Sequence, residues 1–439
     1  MSEDFSNKTF LVYDHHGLFL PLAVRLAEGV GRVLYQTPQD RRDLINDAII
    51  GHGIKGVEWC EDFWLQKKEI DCFVFPDLRH EGEQFELRIQ GLPVWGAGAG
   101  MSLELKRLFF LDKLNELGLD VPPHELVTGW SNLLAYLKDK EDIWIKMSKW
   151  RGSWETFHWR SWKQDWHNLY VWAVRFGGVM EKLDFICFPK IETDLEIGAD
   201  TYCVNGQWPS MMLHGIERKD EAYFSAVTKR EDMPEQLLQI MDAFSPFLNQ
   251  VGYACQWSME DRVMTKEGKH FFIDATTRGG LPSTASFLKA KNVPEVIWGG
   301  AHGELVEIDY GFKFSAECMV KIHGQQGAWD TIVLPDEVKE NLMLADCCEV
   351  DGQTWFPADD GGGCIEEIGW LRATGDTPIE VAKEMNRLSE LLPDGANASV
   401  EELADVFREI ESEHKQGIEF TKQEMPPPEI VLAPVEGQH

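Results

Sequence analysis

The sequence predicts an α/β protein of two or three domains that opens with a parallel α/β unit. Three observations lead there. The chain has 439 residues and 44% apolar content, more than one hydrophobic core usually serves and enough to build several. Apolar runs alternate with amphipathic stretches over the first quarter of the chain, the pattern of a sheet with crossover helices. Beyond it, strand-like runs joined by turn residues replace that alternation.

Composition narrows the partners. With 42 Lys+Arg against 74 Asp+Glu the net charge is −32, a field that repels nucleic acid, so none is expected as a partner. The 9 cysteines, scattered from Cys60 to Cys364 without a CxxC pair, read as reduced, mostly buried thiols of a cytoplasmic protein. MSEDFSNKTF has no basic-then-apolar leader pattern and no apolar run reaches membrane-spanning length, so no membrane association is expected.

From Thr9, TFLVYDHHGLFLPLAVRLAEGVGRVLYQTP reads as strand, loop, amphipathic helix and strand, followed by strands at IDCFVFPD and LPVWGAG. His15 and His16 follow the first strand, where such sheets place ligands, although loop histidines also serve as solvated or capping groups. A helix is expected over Leu103–Leu117, then a β-hairpin in IWIKMSKWRGSWETFHWRS with Lys149, Arg151 and Gly152 in its loop. A helix near Asn168–Arg175 and a strand FICFPK come next, and Asn205-Gly206 is a hairpin signal joining EIGADTYCV to WPSMMLH. A helix over Pro378–Leu392 and a proline-rich, loosely attached tail close the chain. No internal repeat or signal for oligomeric state is present.

Two stretches carry chemistry. In IWIKMS, Lys146 lies between apolar neighbours, so its ammonium should face a ligand or a carboxylate, and a loop with Lys149, Arg151 and Gly152 can cover phosphates. In FFIDATTRGGLP, Asp274, Thr276 and Arg278 alternate along an extended run, which puts them on one face. A buried carboxylate there needs partners, either an internal Asp274–Arg278 ion pair or a bound ion. The crowd of Trp144, Trp150, Trp154, Trp159, Trp162, Trp166 and Trp172 either packs a small subdomain or offers rings for stacking on bases or sugars.

The order of these parts resembles the ATP-grasp superfamily. Lys106 opens a helix ending in LGLDVPP; Lys146 and Lys149 follow on a strand and its loop; EIGAD and the acid-x-polar-x-Arg strand come after. Within it, Asp274, Thr276, Arg278, Gly280 and Pro282 keep the spacing of the phosphoribosylamine–glycine ligase branch, and GWLRATGDTPIEVAKEMNRL looks like that branch's C-terminal strand and helix. The likeness covers roughly residues 8 to 395. It implies an N-terminal parallel α/β domain over residues 1–105 and a central α+β ATP-grasp domain over 106–315, with a nucleotide hairpin subdomain at about 128–190. A small C-terminal α+β domain over 316–425 and a tail over 426–439 complete it.

The resemblance further implies an ATP-dependent carboxylate–amine ligase acting through an acylphosphate, with ATP and Mg2+ as cofactors and a small-molecule carboxylate and amine as substrates. It gives Lys146 and Lys149 to the ATP phosphates, Lys106 to the cofactor as the match of a lysine at the start of the preceding helix, Glu196 to the ribose, and the segment Phe188–Ile191 to the adenine. Asp274 and Thr276 fall to magnesium, Arg278 to the acylphosphate or substrate carboxylate, and Glu217 and Lys219 to the Glu-x-Lys after the hairpin, Lys219 with a catalytic role. The chain departs from the pattern in three places. Asp and Thr stand where the family often has Glu and Asn; Gln256 and Ser258, with Glu260 beyond, stand where many relatives supply an earlier acid; and YDHHGLFLP replaces the branch's Gly-Gly-Arg-Glu-His motif. Phosphoribosylamine is therefore not the expected substrate. The alternative reading is a catalytically degenerate ATP-grasp protein with a nucleotide-binding or structural role.

Overall fold

β-rich runs at the start of the chain, largely buried except for the third, form β1 (Thr9–Tyr13), β2 (Arg32–Gln36), β3 (Val57–Trp59), β4 (Cys72–Val74) and β5 (Val94–Trp95). They make a parallel sheet in the order β3-β2-β1-β4-β5. Helices Leu20–Ala27 and Glu81–Ile89 are its crossovers. The computed structural model describes residues 4–37, 50–148, 156–191, 195–218, 221–264, 269–323, 329–357, 365–415, 420–421 and 423–432.

The expected helix over Leu103–Leu117 is broken. Ser102–Leu105 and Arg107–Glu116 are separate helices, and Lys106 between them takes φ −128° and ψ 84°. Next, β6 (Glu125–Thr128), β7 (Ile143–Met147), β8 (Thr156–Trp159) and β9 (Asp184–Pro189) form an antiparallel sheet in the order β6-β9-β7-β8. The β7–β8 pairing is the expected hairpin; Lys149, Arg151 and Gly152 in its loop lie outside the described residues. Helix Trp162–Phe176 covers this sheet, whose own core includes Ile145, Trp159, Leu169, Trp172 and Phe185. The tryptophans therefore divide: Trp159 and Trp172 are core, whereas Trp144, Trp162 and Trp166 are exposed. Trp144 lies flat on His158, ring centroids 4.4 Å apart.

Among the described residues the largest sheet has nine strands. It contains β10 (Leu195–Val204), β11 (Met211–Arg218), β12 (Ala222–Lys229), β13 (Ala254–Met264), β14 (Lys269–Thr276) and β15 (Phe314–His323) in the order β14-β13-β10-β11-β12-β15. Strand Ile365–Gly375 extends it beyond β15, with Leu342–Leu344 outside that and Ala396–Ala398 also on β15. At the β10–β11 turn, Asn205 and Gly206 both have positive φ, 50° and 76°, the conformation that an Asn-Gly hairpin supplies at least cost. Helix Glu235–Gln250 lays Leu237, Ile240, Met241, Phe244 and Leu248 into the core, one stripe at helical spacing. Thr377 and Glu380 form a capping box at the start of helix Pro378–Glu390.

One continuous apolar core joins residues of the first sheet, such as Phe10 and Val74, to Phe272 of β14 and Leu371 of the C-terminal part. The described part of the expected tail is packed, not loose: Pro428 and Val431 are buried because the stretch carries apolar side chains between its prolines. The described cysteines are all buried free thiols. No helix among the described residues is long and apolar enough to cross a membrane.

Glu317 of β15 and Arg372 are cross-strand partners inside this core. Ser286 N and Oγ both donate to Glu317 Oε1, at 2.8 and 2.5 Å. Burial pushes the Glu317 carboxyl up to about 8, against hydrogen bonds from Ser286 and the charge of Arg372. A raised folded-state pKa contributes stability below the unfolded value, near 4.5, that is lost as pH rises toward 8. Glu317→Gln should therefore gain on the wild type across that window, by about a few kcal/mol at pH 9. Parallel urea melts at pH 5 and pH 9 check it; an unchanged difference between the two proteins contradicts a protonated Glu317.

Candidate functional site

Two of the side chains singled out by the sequence, Lys146 and Asp274, meet where the end of β14 faces the broken helix and the hairpin strand β7. Asp274 does not pair with Arg278. Its Oδ1 accepts from Arg107 Nη1 at 2.8 Å and its Oδ2 from Arg107 Nη2 at 3.0 Å, a two-pronged contact, while Lys146 Nζ stands 3.4 Å from Oδ2. Arg107 Nη1 also donates to Ile273 O at 3.3 Å. The arginine side chain is 4% exposed and the carboxylate 23%, so the pair is largely desolvated yet open on one side. Arg107 N donates to Ser148 O at 3.2 Å, which fastens the helix start to the end of the hairpin strand.

Arg107 is the residue that sequence reasoning missed, and the helix break explains why. Lys106 at the break is exposed, its ammonium 3.2 Å from Ser102 Oγ. Arg107 enters the site. A signal was available: Arg107, Phe110, Leu111 and Leu114 form the buried stripe of that helix, so a cation opens an otherwise apolar face and must have a partner.

β14 ends at Thr276, and Arg278 turns toward the first sheet. Its Nε donates to Glu104 Oε1 at 3.2 Å and lies 4.0 Å from Asp77 Oδ1. Glu104, fully buried, also accepts from Thr277 N at 2.7 Å. Gly279 N donates to Pro76 O at 3.1 Å, docking this segment on the end of β4. Asp77 in turn accepts from Leu78 N at 2.7 Å and pairs with His16 Nδ1. Burial would raise the Asp77 carboxyl, but the His16 contact and the Arg278 charge outweigh it and hold Asp77 below the usual range. Lys146, Asp274 and Arg107 thus form one group of charges at the end of β14, and a second group, Glu104, Arg278, Asp77 and His16, continues the row to the carboxyl ends of β1 and β4.

Strand register defines the floor beside this row. Gly198, Glu260 and Asp274 stand opposite one another on β10, β13 and β14, as do Asp200, Ser258 and Thr276. Gly198 also faces Gly215 of β11, and the Tyr223 ring end lies against Gly215 where a side chain would stand. A Cβ on Gly215 would come 2.2 Å from Tyr223 Oη. Over them lies a cleft lined by Asp200, Ser258, Tyr223, Glu217, Arg218 and Glu409. Asp200 is pushed up by burial despite hydroxyl donors from Ser258, Ser283 and Tyr223.

Of the other residues named from the sequence, Lys149 and Lys219 lie outside the described residues. Glu196 stands opposite Arg262 in the β10–β13 register, its side chain outside the description. Ile191 is half-buried just beyond β9. Among the described residues, no three His, Cys, Asp or Glu side chains are arranged to hold a metal. The oxygens of Asp274 and Thr276 are hard donors of the kind magnesium takes, and an ion that bridges phosphates needs only one or two carboxylates from the protein.

No family model matches the sequence, and no curated protein matches it. Solved structures do. Phosphoribosylamine–glycine ligase from Thermotoga maritima superposes with TM-score 0.63 at 14% identity, over 89% of this chain and 98% of that one. The biotin carboxylase domain of the Hydrogenobacter thermophilus 2-oxoglutarate carboxylase, a dimer with MgADP and bicarbonate, gives 0.61 at 12%, over 97% and 98%. N5-carboxyaminoimidazole synthetase from Staphylococcus aureus with ADP gives 0.56 at 9%, over 87% and 97%. The chain has the ATP-grasp fold that these enzymes share, with the resemblance to phosphoribosylamine–glycine ligase extending along nearly its whole length.

Proposed function

We propose that the protein is an ATP-dependent carboxylate–amine ligase that works through an acylphosphate, on substrates other than phosphoribosylamine. One observation carries this reading: Asp274 sits at a strand end gripped by Arg107 and Lys146, with Arg278 a few residues on. Two cations gathered on one partly open carboxylate are the charges a polyphosphate needs, and fixed charge in a dry site is where phosphoryl transfer gains most. Lys146 and Arg107 would hold phosphate oxygens, with Lys106 nearer solvent and Lys149 as the resemblance implies, while the β9 end at Ile191 and Glu196 would take adenine and ribose. Asp274 and Thr276 would hold magnesium, which when bound offsets charge on the phosphates. Arg278 would steady the substrate carboxylate and its acylphosphate, and Lys219, outside the described residues, keeps the catalytic role that the resemblance implies.

Incubation with Mg-ATP and pooled metabolites, read as ADP together with a condensed product, tests the reaction. Mg-ATP should also raise the melting temperature by mass action, and Lys146→Ala should remove most of that shift. A wild-type melting temperature that saturating Mg-ATP leaves unmoved contradicts a nucleotide site. The second reading, a nucleotide-binding or structural protein that lost the reaction, is favoured by one feature: both Asp274 oxygens are already occupied by cations, a self-sufficient arrangement.

A further inference from the structure

Beyond the phosphate end, the charge row terminates in a histidine that the nucleotide reading does not use. His16 presents Nδ1 to Asp77, a carboxylate only 4% exposed, while the imidazole itself is 37% exposed. With Nδ1 engaged in this way the neutral ring carries its proton there, and its free lone pair is on Nε2. Nε2 makes no hydrogen bond to a described residue. The loop that carries His16 is fixed by Asp14, buried after β1, which accepts from His16 N at 3.2 Å, Gly17 N at 3.0 Å, Phe19 N at 2.7 Å and Tyr35 Oη at 2.9 Å. His15 stands edge-on to the His16 ring, centroids 4.5 Å apart.

The two neighbouring histidines are committed elsewhere. His15 Nδ1 meets His80 Nε2 at 2.8 Å, and His80 Nδ1 meets Glu83 at 3.2 Å. Burial, with the charges of His16, His80 and Arg79, pushes the His15 imidazole down to about 4. His16 therefore combines a carboxylate partner with an uncommitted nitrogen. Through Asp77 it stands one carboxylate away from Arg278, at the carboxyl ends of parallel strands, where α/β sheets place ligands.

We propose that His16, oriented by Asp77, is the general base that deprotonates the amine substrate as it attacks the acylphosphate. The inference rests on the ligase reading above. A primary amine arrives at neutral pH as an ammonium ion with no lone pair. His16 Nε2 takes one N–H proton, the nitrogen forms its bond to the acyl carbon, and the carbon–oxygen bond to phosphate breaks. The electron pair leaves with the phosphate, which carries away a second N–H proton. Asp77 keeps the ring in the reactive tautomer and stabilises the imidazolium, as a buried carboxylate behind a histidine does elsewhere.

The test uses the full chain with Mg-ATP, a panel of small carboxylates, and two kinds of nucleophile. Hydroxylamine is unprotonated at neutral pH and traps an acylphosphate as a hydroxamate; ammonia, glycine and ethanolamine arrive protonated. His16→Gln should keep hydroxamate formation close to wild type while amide formation falls about 10²–10⁴-fold, the usual range for a lost general base. The deficit should shrink as pH rises past the amine's own pKa. The groups facing the ring, His15, His80, Arg79, Asp14, Asp77 and Arg278, are otherwise unchanged in His16→Gln. Equal loss of both products, loss of neither, or a wild type that accepts hydroxylamine and none of the amines overturns the base. Absence of hydroxamate with every carboxylate overturns the ligase reading itself, and the base with it.

Discussion

Asp274→Asn should lower turnover by about 10²–10³-fold, the range for removing one preorganised charge from a reacting centre, and should change nucleotide binding in the opposite sense. The substitution keeps shape and packing but removes the charge on which Arg107 and Lys146 converge. Without ligand, both cations lose this counter-charge. A broken buried pair costs roughly 3–5 kcal/mol, and the open side of Asp274 places this one at or below the lower end. Phosphate oxygens can supply the missing charge. Magnesium-free ATP or ADP should therefore stabilise Asp274→Asn more than wild type, because the carboxylate no longer competes for the same cations. Thermal melts with and without nucleotide, beside an ADP-release assay, separate the two readings. A destabilised variant that nucleotide does not rescue and that consumes ATP at the wild-type rate would leave Asp274 as a structural partner only.

The sequence carried the architecture further than it carried the site. Strands, the Asn205-Gly206 turn and the hairpin around Lys146 were legible because alternation, turn chemistry and apolar runs are local properties. The partners of Asp274 were not, because ion pairing depends on which side chain a helix break delivers to a distant strand. Asp274, Thr276 and Arg278 look equivalent in an extended run, yet the strand ends at Thr276, and Arg278 joins Glu104 and Asp77 instead. The His16–Asp77 contact lay further out of reach. It joins the ends of β1 and β4, 61 residues apart, and only the strand order β2-β1-β4 makes them neighbours. What could have been read was the oddity of each residue alone: a cation at the head of an apolar stripe, a histidine pair after a first strand, a lysine among apolar neighbours.

Adjacent basic residues at the helix break give the sharpest contrast. Lys106→Ala should leave stability within about 0.5 kcal/mol of wild type, as surface changes usually do, since Lys106 is exposed and, among the described residues, its ammonium meets only Ser102. Arg107→Ala should unfold at markedly lower denaturant. It strips the two-pronged partner from Asp274, opens a gap at the head of the helix stripe, and removes the contact with Ile273 O. Lys146 remains beside Asp274 at 3.4 Å, so the carboxylate keeps one counter-charge and the loss should fall near 2–3 kcal/mol, below a fully unpaired buried ion. Arg107→Lys separates charge from geometry. A lysine restores the positive charge but cannot make two parallel bonds, so it should recover part of the stability and little of the Mg-ATP melting shift. If Lys106→Ala abolishes the nucleotide shift while Arg107→Ala preserves it, the phosphates lie on the exposed side of the break, and the grip of Arg107 on Asp274 is a structural clamp between the helix and β14.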